Sequence, residues 1–301
     1  MGFAKRIILF LVINFLVVIT VSIILSLFNI QPYLTPYGIK MKDLLIFCLV
    51  WGMGGAFISL ALSRVMAKML MRVKTIDPKS TDRSQKELLD TVHRFARKAH
   101  LPKMPEVGIY KSAEINAFAT GPTKRRSLVA VSSGLLEKMD KHQVEGVLAH
   151  EISHISNGDM VTMTLLQGIV NAFVLFLSRL LALVLSGFGR GGQRRGSYGS
   201  FMLFTFLFQF IFMIFGSMIV FWFSRKREFR ADAGGAKLAG KQNMIHALEG
   251  LQAYVNKRVP TADKPALQTM KISTPKKSGF ARLFASHPPL EERIEKLKEL
   301  Q

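Results

Sequence analysis

Two histidines and a glutamate near the middle of the chain have the spacing of a metal-dependent hydrolase. The residues His150, Glu151 and His154 form an H-E-x-x-H pattern, which places two imidazoles one turn apart on the same face of a helix. Such a pair can bind one Zn²⁺, and the intervening glutamate can reach the attacking water. A chance match to this pattern is expected about 0.006 times in a chain of this composition. The pattern therefore predicts one Zn²⁺ per chain and a hydrolytic reaction.

A hydrolytic zinc needs a third protein ligand and an open position for water. Cys48 is the only cysteine, and no histidine occurs between His154 and His246, so the third ligand should be a carboxylate. Glu228 and Asp232 are i, i+4 neighbours on one helix face. Glu228 can reach a metal, and Asp232 can orient a ligating histidine. On spacing alone, Glu228 could equally be a solvated ion-pair partner of its basic neighbours.

The zinc pattern lies where the periodicity independently predicts a helix. Asp140 and Gln143 have the spacing of a capping box, and Asn157-Gly158 should end the helix. Another helix is expected over residues 84–99, and strands are expected over 107–110, 115–120 and 128–131. The polar part of the chain should therefore combine helices with a small antiparallel sheet.

Long uncharged runs make up much of the remaining chain, which is 49% hydrophobic. Spans are expected at about residues 7–28, 44–63, 161–183 and 200–223, each long enough to cross about 30 Å of hydrocarbon. The first run is longer than the apolar region of a signal peptide, so we expect it to be retained. The predicted domains are a transmembrane hairpin (1–64), a catalytic part with the zinc-motif helix (65–160), a second hairpin (161–224) and a catalytic part with the third ligand (225–301).

The chain carries a formal net charge of +21, and its basic residues indicate an orientation. Lys5 precedes the first span and Arg64 follows the second, so both flanks should be cytoplasmic. Two further crossings return the chain to the same side, which places both termini and the active site in the cytoplasm. Arg190, Arg194 and Arg195, between the last two spans, do not fit this scheme. Attraction to the lipid bilayer explains the charge more simply than nucleic-acid binding, which we do not expect.

Four segments resemble those of the HtpX membrane metalloproteases. They are Ile115 to Gly121, His150 to Met160, Glu228 to Asp232, and His287 to Pro289 with Arg293; their order and spacing are also similar. The resemblance implies zinc ligands His150, His154 and Glu228, with Glu151 as general base and acid and Asp232 as a partner of His150. It also implies a prokaryotic inner (plasma) membrane enzyme that acts on misfolded or damaged membrane proteins in quality control and stress response.

The expected fold class is an α+β membrane protein with four transmembrane helices and a zincin-like cytoplasmic catalytic domain. His287, followed by two prolines, is expected to donate a hydrogen bond to the oxyanion of the reaction. The alternative for His287 is a solvated turn before the last helix. Arg293 could serve the same end as His287, or pair with carboxylates of its own helix.

Substrate binding is expected along the strand that contains Asn116, Ala117, Phe118 and Ala119. An extended, unfolded peptide could add to its free edge through main-chain hydrogen bonds. In the alternative, Phe118 is a core residue and the edge is covered.

Two other functions compete with this interpretation. A prenyl-protein protease of the CAAX type shares the zinc motif, but the chains of such enzymes look longer and have more membrane spans around the active site. A scaffold with a structural zinc is the other alternative, although it would not need Glu151. The sequence carries no signal for the oligomeric state.

Overall fold

The computed structural model describes residues 34–35, 38–187, 197–257 and 285–300. The chain falls into two compact units. The first consists of Met1–Ser59 and Met163–Val220, and the second consists of Leu60–Thr162 and Phe221–Gln301. The span expected at residues 7–28 and the three loop arginines lie outside the described residues, so the count of four spans and the domain boundaries stay predictions.

The secondary structure is mostly helical. In chain order the elements are β1 (Leu34–Thr35), β2 (Gly38–Ile39), α1 (Met41–Met71), β3 (Lys74–Thr75), α2 (Arg83–Lys98), β4 (Glu106–Tyr110), β5 (Ala117–Thr120), β6 (Leu128–Ser132), α3 (Ser133–Lys138), α4 (Lys141–Asn157), α5 (Asp159–Ser186), α6 (Tyr198–Ala239), α7 (Lys241–Lys257) and α8 (Leu290–Glu299).

Within the described residues, three helices are long and apolar enough to cross a membrane: α1, α5 and α6. They contain the spans expected at 44–63, 161–183 and 200–223. In the first unit, a Cβ atom on Gly52 would lie 2.5 Å from the backbone nitrogen of Ala172. The helices α1 and α5 therefore approach backbone to backbone, as small residues allow in membrane proteins.

The second unit contains a mixed four-stranded sheet with the order β3-β4-β6-β5. Strand β5 pairs antiparallel with β6, but β4 pairs parallel with β6. The expectation of an antiparallel sheet is therefore wrong for this pair. Strand β5 comes between β4 and β6 in the chain but lies outside β6, so the chain enters β6 in the direction of β4. In the described part of the chain, β5 is an edge strand.

The core of the second unit lies between this sheet and the helices. Helix α2 buries the face that its periodicity predicts. Helix α4 begins at the capping box of Asp140 and Gln143 and ends at Gly158, which has a left-handed φ of 72°. Both predicted boundaries of α4 are confirmed, because local hydrogen bonds and one left-handed residue set them.

Candidate metal site

The structure brings the side chains of His150, His154 and Glu228 together in the second unit. The Nε2 atoms of His150 and His154 lie 3.1 Å apart. Each of these atoms lies 3.4 Å from a carboxylate oxygen of Glu228. Bonds of about 2.0–2.1 Å to a tetrahedral Zn²⁺ would place ligand atoms about 3.3–3.4 Å apart. The three side chains are buried and fit a zinc ion in size.

Carboxylates hold the far side of both imidazole rings. The Nδ1 atom of His154 lies 2.6 Å from Asp159 Oδ2, and the Nδ1 atom of His150 lies 2.9 Å from Asp232 Oδ1. A carboxylate at Nδ1 keeps the ring proton there and leaves Nε2 as the ligand atom. The two histidines are therefore oriented so that both Nε2 atoms face Glu228.

The charges around the site favour a cation at its centre. Burial lowers the pKa of His150, but Asp232 and Glu228 outweigh burial and raise the pKa to about 9. Burial raises the pKa of Glu228, yet the neighbouring His287 and His154 hold it well below its usual range. A site that stabilises a buried imidazolium can stabilise a divalent metal ion at the same place. Both the charge of the donor set and the spacing of its ligand atoms are therefore those expected of a site for a divalent metal ion.

Arg293 forms a buried ion pair with Asp232. Its Nε and Nη2 atoms donate hydrogen bonds of 2.8 and 2.7 Å to the two carboxylate oxygens. Burial raises the pKa of Asp232, but the Arg293 guanidinium dominates and lowers it to about 2. Of the alternatives for Arg293, the structure shows pairing, but with a carboxylate of α6 rather than of its own helix. Arg293, Asp232 and His150 thus form a continuous chain of contacts.

His287 and Arg227 approach the carboxylate of Glu228. The Nδ1 atom of His287 lies 2.9 Å from Glu228 Oε2, and Arg227 Nη2 donates a hydrogen bond of 3.0 Å to Glu228 Oε1. Arg225 donates a hydrogen bond of 2.9 Å to the carbonyl of Ala285. This bond holds the segment that leads to His287 beside the site, instead of in a solvated turn.

Two glycines allow α6 to approach the zinc-motif helix. A Cβ atom on Gly234 would lie 2.0 Å from Ser153 Oγ, and one on Gly235 would lie 3.2 Å from the backbone nitrogen of His150. This close packing brings the carboxylates of α6 within reach of the histidines. Sequence reasoning missed the two glycines, and the signal was a Gly-Gly pair inside a helix, directly after Asp232 and Ala233.

Asp159 is a second residue that sequence reasoning missed. The left-handed conformation of Gly158 ends α4 and turns the chain so that Asp159 faces His154. The Asn157-Gly158 helix stop was predicted, but the acidic residue directly behind it was assigned no role. An aspartate five residues after a ligating histidine, across a tight turn, was the available signal.

The predicted substrate strand corresponds to β5, which lies against α4. Asn116 is buried and its backbone nitrogen donates to Ser132 Oγ at 3.1 Å. Phe118 is a core residue, because it is 7% exposed and its ring centroid lies 5.7 Å from that of Tyr110. The structure therefore agrees with the alternative interpretation, in which the Phe118 side chain belongs to the core and does not contact a substrate. Ala117 is also buried, and Ala119 is partly exposed.

Sequence comparisons identify the family. A model described as Peptidase family M48 matches residues 82–301. The Protease HtpX homolog of Bacillus subtilis (strain 168) is 53% identical over 302 residues, which cover 98% of this chain and 99% of that protein. The chain belongs to the HtpX family of M48 peptidases. The Protease HtpX of Chromohalobacter salexigens is 46% identical to this M48 peptidase over 297 residues, with 98% of each chain covered.

A structural comparison agrees with this family. The crystal structure of Ste24p from S. mikatae resembles the M48 peptidase with a TM-score of 0.62 at 19% identity, covering 98% of this chain and 64% of that chain. At this identity the likeness shows the fold alone. The protein is thus a membrane metalloprotease with three candidate membrane helices in its described part and a small mixed sheet.

Proposed function

We propose that the protein is a zinc-dependent endopeptidase that cleaves misfolded or damaged membrane proteins at the cytoplasmic face of a prokaryotic inner membrane. The convergence of His150, His154 and Glu228 at one buried point carries this proposal. Two imidazoles and one carboxylate, with a fourth position for water, are a donor set typical of catalytic zinc. The basic residues that flank the apolar runs support the cytoplasmic orientation.

The residues around the metal have separate tasks in the proposed reaction. A bound Zn²⁺ would lower the pKa of water toward about 7 and polarise the scissile carbonyl. Glu151 adjoins His150 on α4, takes a proton from the attacking water and passes it to the departing amine. Asp159 and Asp232 keep the two imidazoles in the orientation that metal binding requires. We assign to His287, whose Nδ1 atom lies 2.9 Å from Glu228 Oε2, the donation of a hydrogen bond to the developing oxyanion.

The edge strand supports binding of extended peptides. An unfolded segment can add to β5 through main-chain hydrogen bonds, and this mode makes few demands on the substrate sequence. The backbone nitrogen and carbonyl of Asn116 both bond to Ser132 of β6. In an antiparallel pair alternate residues face the partner strand, so Ala117 and Ala119 are the positions that would offer main-chain groups to a peptide at the outer edge. Low sequence selectivity suits an enzyme that removes misfolded proteins.

Cleavage of an unfolded soluble protein tests the proposal. The enzyme is purified in detergent with a chelator, Zn²⁺ is restored, and Glu151→Gln is compared with the unsubstituted chain. We expect Glu151→Gln to bind zinc normally and to cleave about 10²–10⁴-fold more slowly, because general acid–base catalysis is lost. Glu249→Gln on α7, where Glu249 is exposed, is the matched control and should cleave normally.

Zinc content and cleavage, measured on the same variants, together distinguish a catalytic zinc site from a structural one. His154→Gln should lose zinc, whereas His142→Gln should keep it, because His142 is exposed on the same helix. Equal cleavage by Glu151→Gln and the unsubstituted chain would refute the assigned chemistry. Tight zinc binding without cleavage by either protein would favour a scaffold with a structural zinc.

A further inference from the structure

Tyr110, Ser132 and Asn116 form one row across the sheet of the second unit. Tyr110 ends β4 and pairs with Ser132, which ends β6. The register of β5 with β6 places Asn116, the residue before β5, opposite Ser132. Paired residues of neighbouring strands carry their side chains on the same face. The ring centroid of Tyr110 lies 5.7 Å from that of Phe118 on β5, so the phenol extends across β6 toward the edge strand.

The main chain of Asn116 is already fixed by β6. Its nitrogen donates to Ser132 Oγ at 3.1 Å, and its carbonyl accepts from the Ser132 nitrogen at 2.9 Å. Ser132 Oγ donates in turn to the carbonyl of Glu114 at 2.6 Å, which fastens the chain just before β5. The Asn116 carboxamide is therefore not needed to hold this strand in the sheet and is available for another task.

Two buried polar atoms at the end of this row lack partners. Tyr110 is 3% exposed and Asn116 is 5% exposed. Within the described residues, neither the Tyr110 hydroxyl nor Asn116 Oδ1 has a hydrogen-bond partner. A buried polar atom that stays unpaired is costly, so its persistence needs an explanation. A carboxamide has two donor hydrogens and an acceptor oxygen, and a phenol both donates and accepts. The two groups can therefore bond to each other at one end of the carboxamide and leave its other end for a ligand.

The charge of Glu151 reaches the Tyr110 phenol. Burial raises the pKa of Tyr110, the neighbouring Asn116 amide lowers it, and the carboxylates of Glu114 and Glu151 raise it further. The phenol therefore keeps its proton at neutral pH and remains a hydrogen-bond donor. Because Glu151 is the general base and acid of the proposed reaction, the row of Tyr110 and Asn116 ends near the reacting groups.

We propose that Tyr110 is a positioning residue for substrate binding: its hydroxyl bonds to one end of the Asn116 carboxamide and turns the other end toward a peptide added to β5. Asn116 makes the contact with the peptide, and Tyr110 acts only through Asn116. The inference rests on the proposed function, because the peptide that Asn116 contacts is the one that Glu151 helps to cleave.

Removal of the hydroxyl alone tests the inference. Tyr110→Phe keeps the ring that packs on Phe118, and Asn116→Leu replaces the carboxamide with an apolar side chain of similar shape. The two substitutions, alone and together, are compared for kcat and KM with an unfolded test protein in detergent and Zn²⁺. Each is also placed in Glu151→Gln, where the dissociation constant of a fluorescein-labelled fragment of the same unfolded protein is measured without cleavage.

Tyr254→Phe is the matched control. The Tyr254 hydroxyl donates to the carbonyl of Ala113 at 3.3 Å, in the loop that leads to Asn116. The control therefore removes a hydroxyl that holds the same loop but does not remove the proposed partner of the carboxamide. Thermal unfolding and zinc affinity are measured for every variant, so that loss of fold or of metal is recognised.

We expect Tyr110→Phe to raise KM and the dissociation constant about three- to tenfold, which is the effect of one neutral hydrogen bond. The value of kcat should stay within about twofold, because binding and not chemistry is affected. In the Asn116→Leu background the same substitution should change KM by less than about twofold, since its effect passes through the carboxamide. Tyr254→Phe should leave KM unchanged.

Three results would overturn the inference while leaving the protease function intact. The first is an effect of Tyr110→Phe that is equally large with and without the Asn116 carboxamide. The second is an equal rise of KM in Tyr254→Phe, since a loosened loop would then explain both. The third is a lower melting temperature or kcat with unchanged KM, which would make Tyr110 structural. Equal cleavage by Glu151→Gln and the unsubstituted chain refutes the proposed function instead, and the dissociation constants still report whether Tyr110 acts through Asn116.

Discussion

Replacement of Arg293 by methionine should destabilise the second unit. Arg293 is fully buried and donates two hydrogen bonds to Asp232. Despite burial, the pKa of Asp232 is about 2 instead of 3.8, so its ionic contacts contribute about 2–3 kcal/mol to folding. Removing the guanidinium also leaves an unpaired buried carboxylate, which raises the expected loss to about 3–5 kcal/mol. Methionine keeps most of the aliphatic packing, so the loss reports mainly on charge.

The effect of Arg293→Met should depend on pH in a definite direction. The folded-state pKa of Asp232 is lowered, so its stabilisation is present above about pH 4 and is lost as the pH falls through about 2. In the variant, burial is no longer opposed by Arg293 and the pKa of Asp232 rises. The difference in stability between the two proteins should therefore be largest near neutral pH and shrink in acid.

Thermal unfolding of the chelator-treated protein in detergent measures this difference. At about 2–4 °C per kcal/mol for a domain of this size, Arg293→Met should unfold about 6–20 °C earlier. Zinc affinity, measured by competition with a chromophoric chelator, should fall about 10–100-fold, because an Asp232 carboxylate that Arg293 no longer fixes holds His150 in place less firmly. Lys298→Met, an exposed change on the same helix, is the matched control.

The double variant Asp232→Asn/Arg293→Met separates charge from packing. It removes both charges, so it should recover part of the stability that Arg293→Met loses while zinc binding stays weak. If Arg293→Met unfolds and binds zinc like the unsubstituted protein, the chain of contacts from Arg293 to His150 has no energetic role. If the double variant recovers nothing, the loss comes from packing instead of an unpaired carboxylate.

Two further substitutions test how the site is positioned. Asp159→Asn should lower zinc affinity about 10–100-fold with little change in melting temperature, because an amide holds the Nδ1 proton of His154 less firmly than a carboxylate; unchanged affinity in chelator competition would contradict this. Gly234→Ala should lower stability by about 1–3 kcal/mol and weaken zinc binding, because its Cβ atom would lie 2.0 Å from Ser153 Oγ. Adding Ser153→Ala to this variant should restore part of the stability, measured by thermal unfolding, and part of the zinc affinity, measured by titration. If neither recovers, this contact does not set the spacing between α6 and α4.

Much of the site could be predicted from local patterns. The zinc-motif helix was predicted with both its ends, because its capping box and its terminal glycine act through hydrogen bonds between residues a few positions apart. The apolar runs of α1, α5 and α6 were equally clear, since hydropathy is a property of each segment by itself. The pairing of two histidines on one helix face follows from helical geometry alone.

Other features depended on which elements pack together. Parallel and antiparallel strands share the same alternation of side chains, so the sequence pattern did not distinguish the parallel pairing of β4 with β6. The partner of Arg293 was also open, because carboxylates on its own helix were nearer in sequence than Asp232. Burial of α8 against the other helices selected the distant partner.

The amino-acid sequence by itself determined the zinc-motif helix, three membrane-length helices and the kind of chemistry to expect. Only the tertiary structure decided that Glu228 and Asp232, more than seventy positions after the histidines, lie beside them. On spacing alone, Glu228 was as consistent with a solvated ion pair as with a ligand. The physical reason is that helix caps and periodicity act over a few residues, whereas Glu228 reaches the histidines through close packing of α6 against α4 at Gly234.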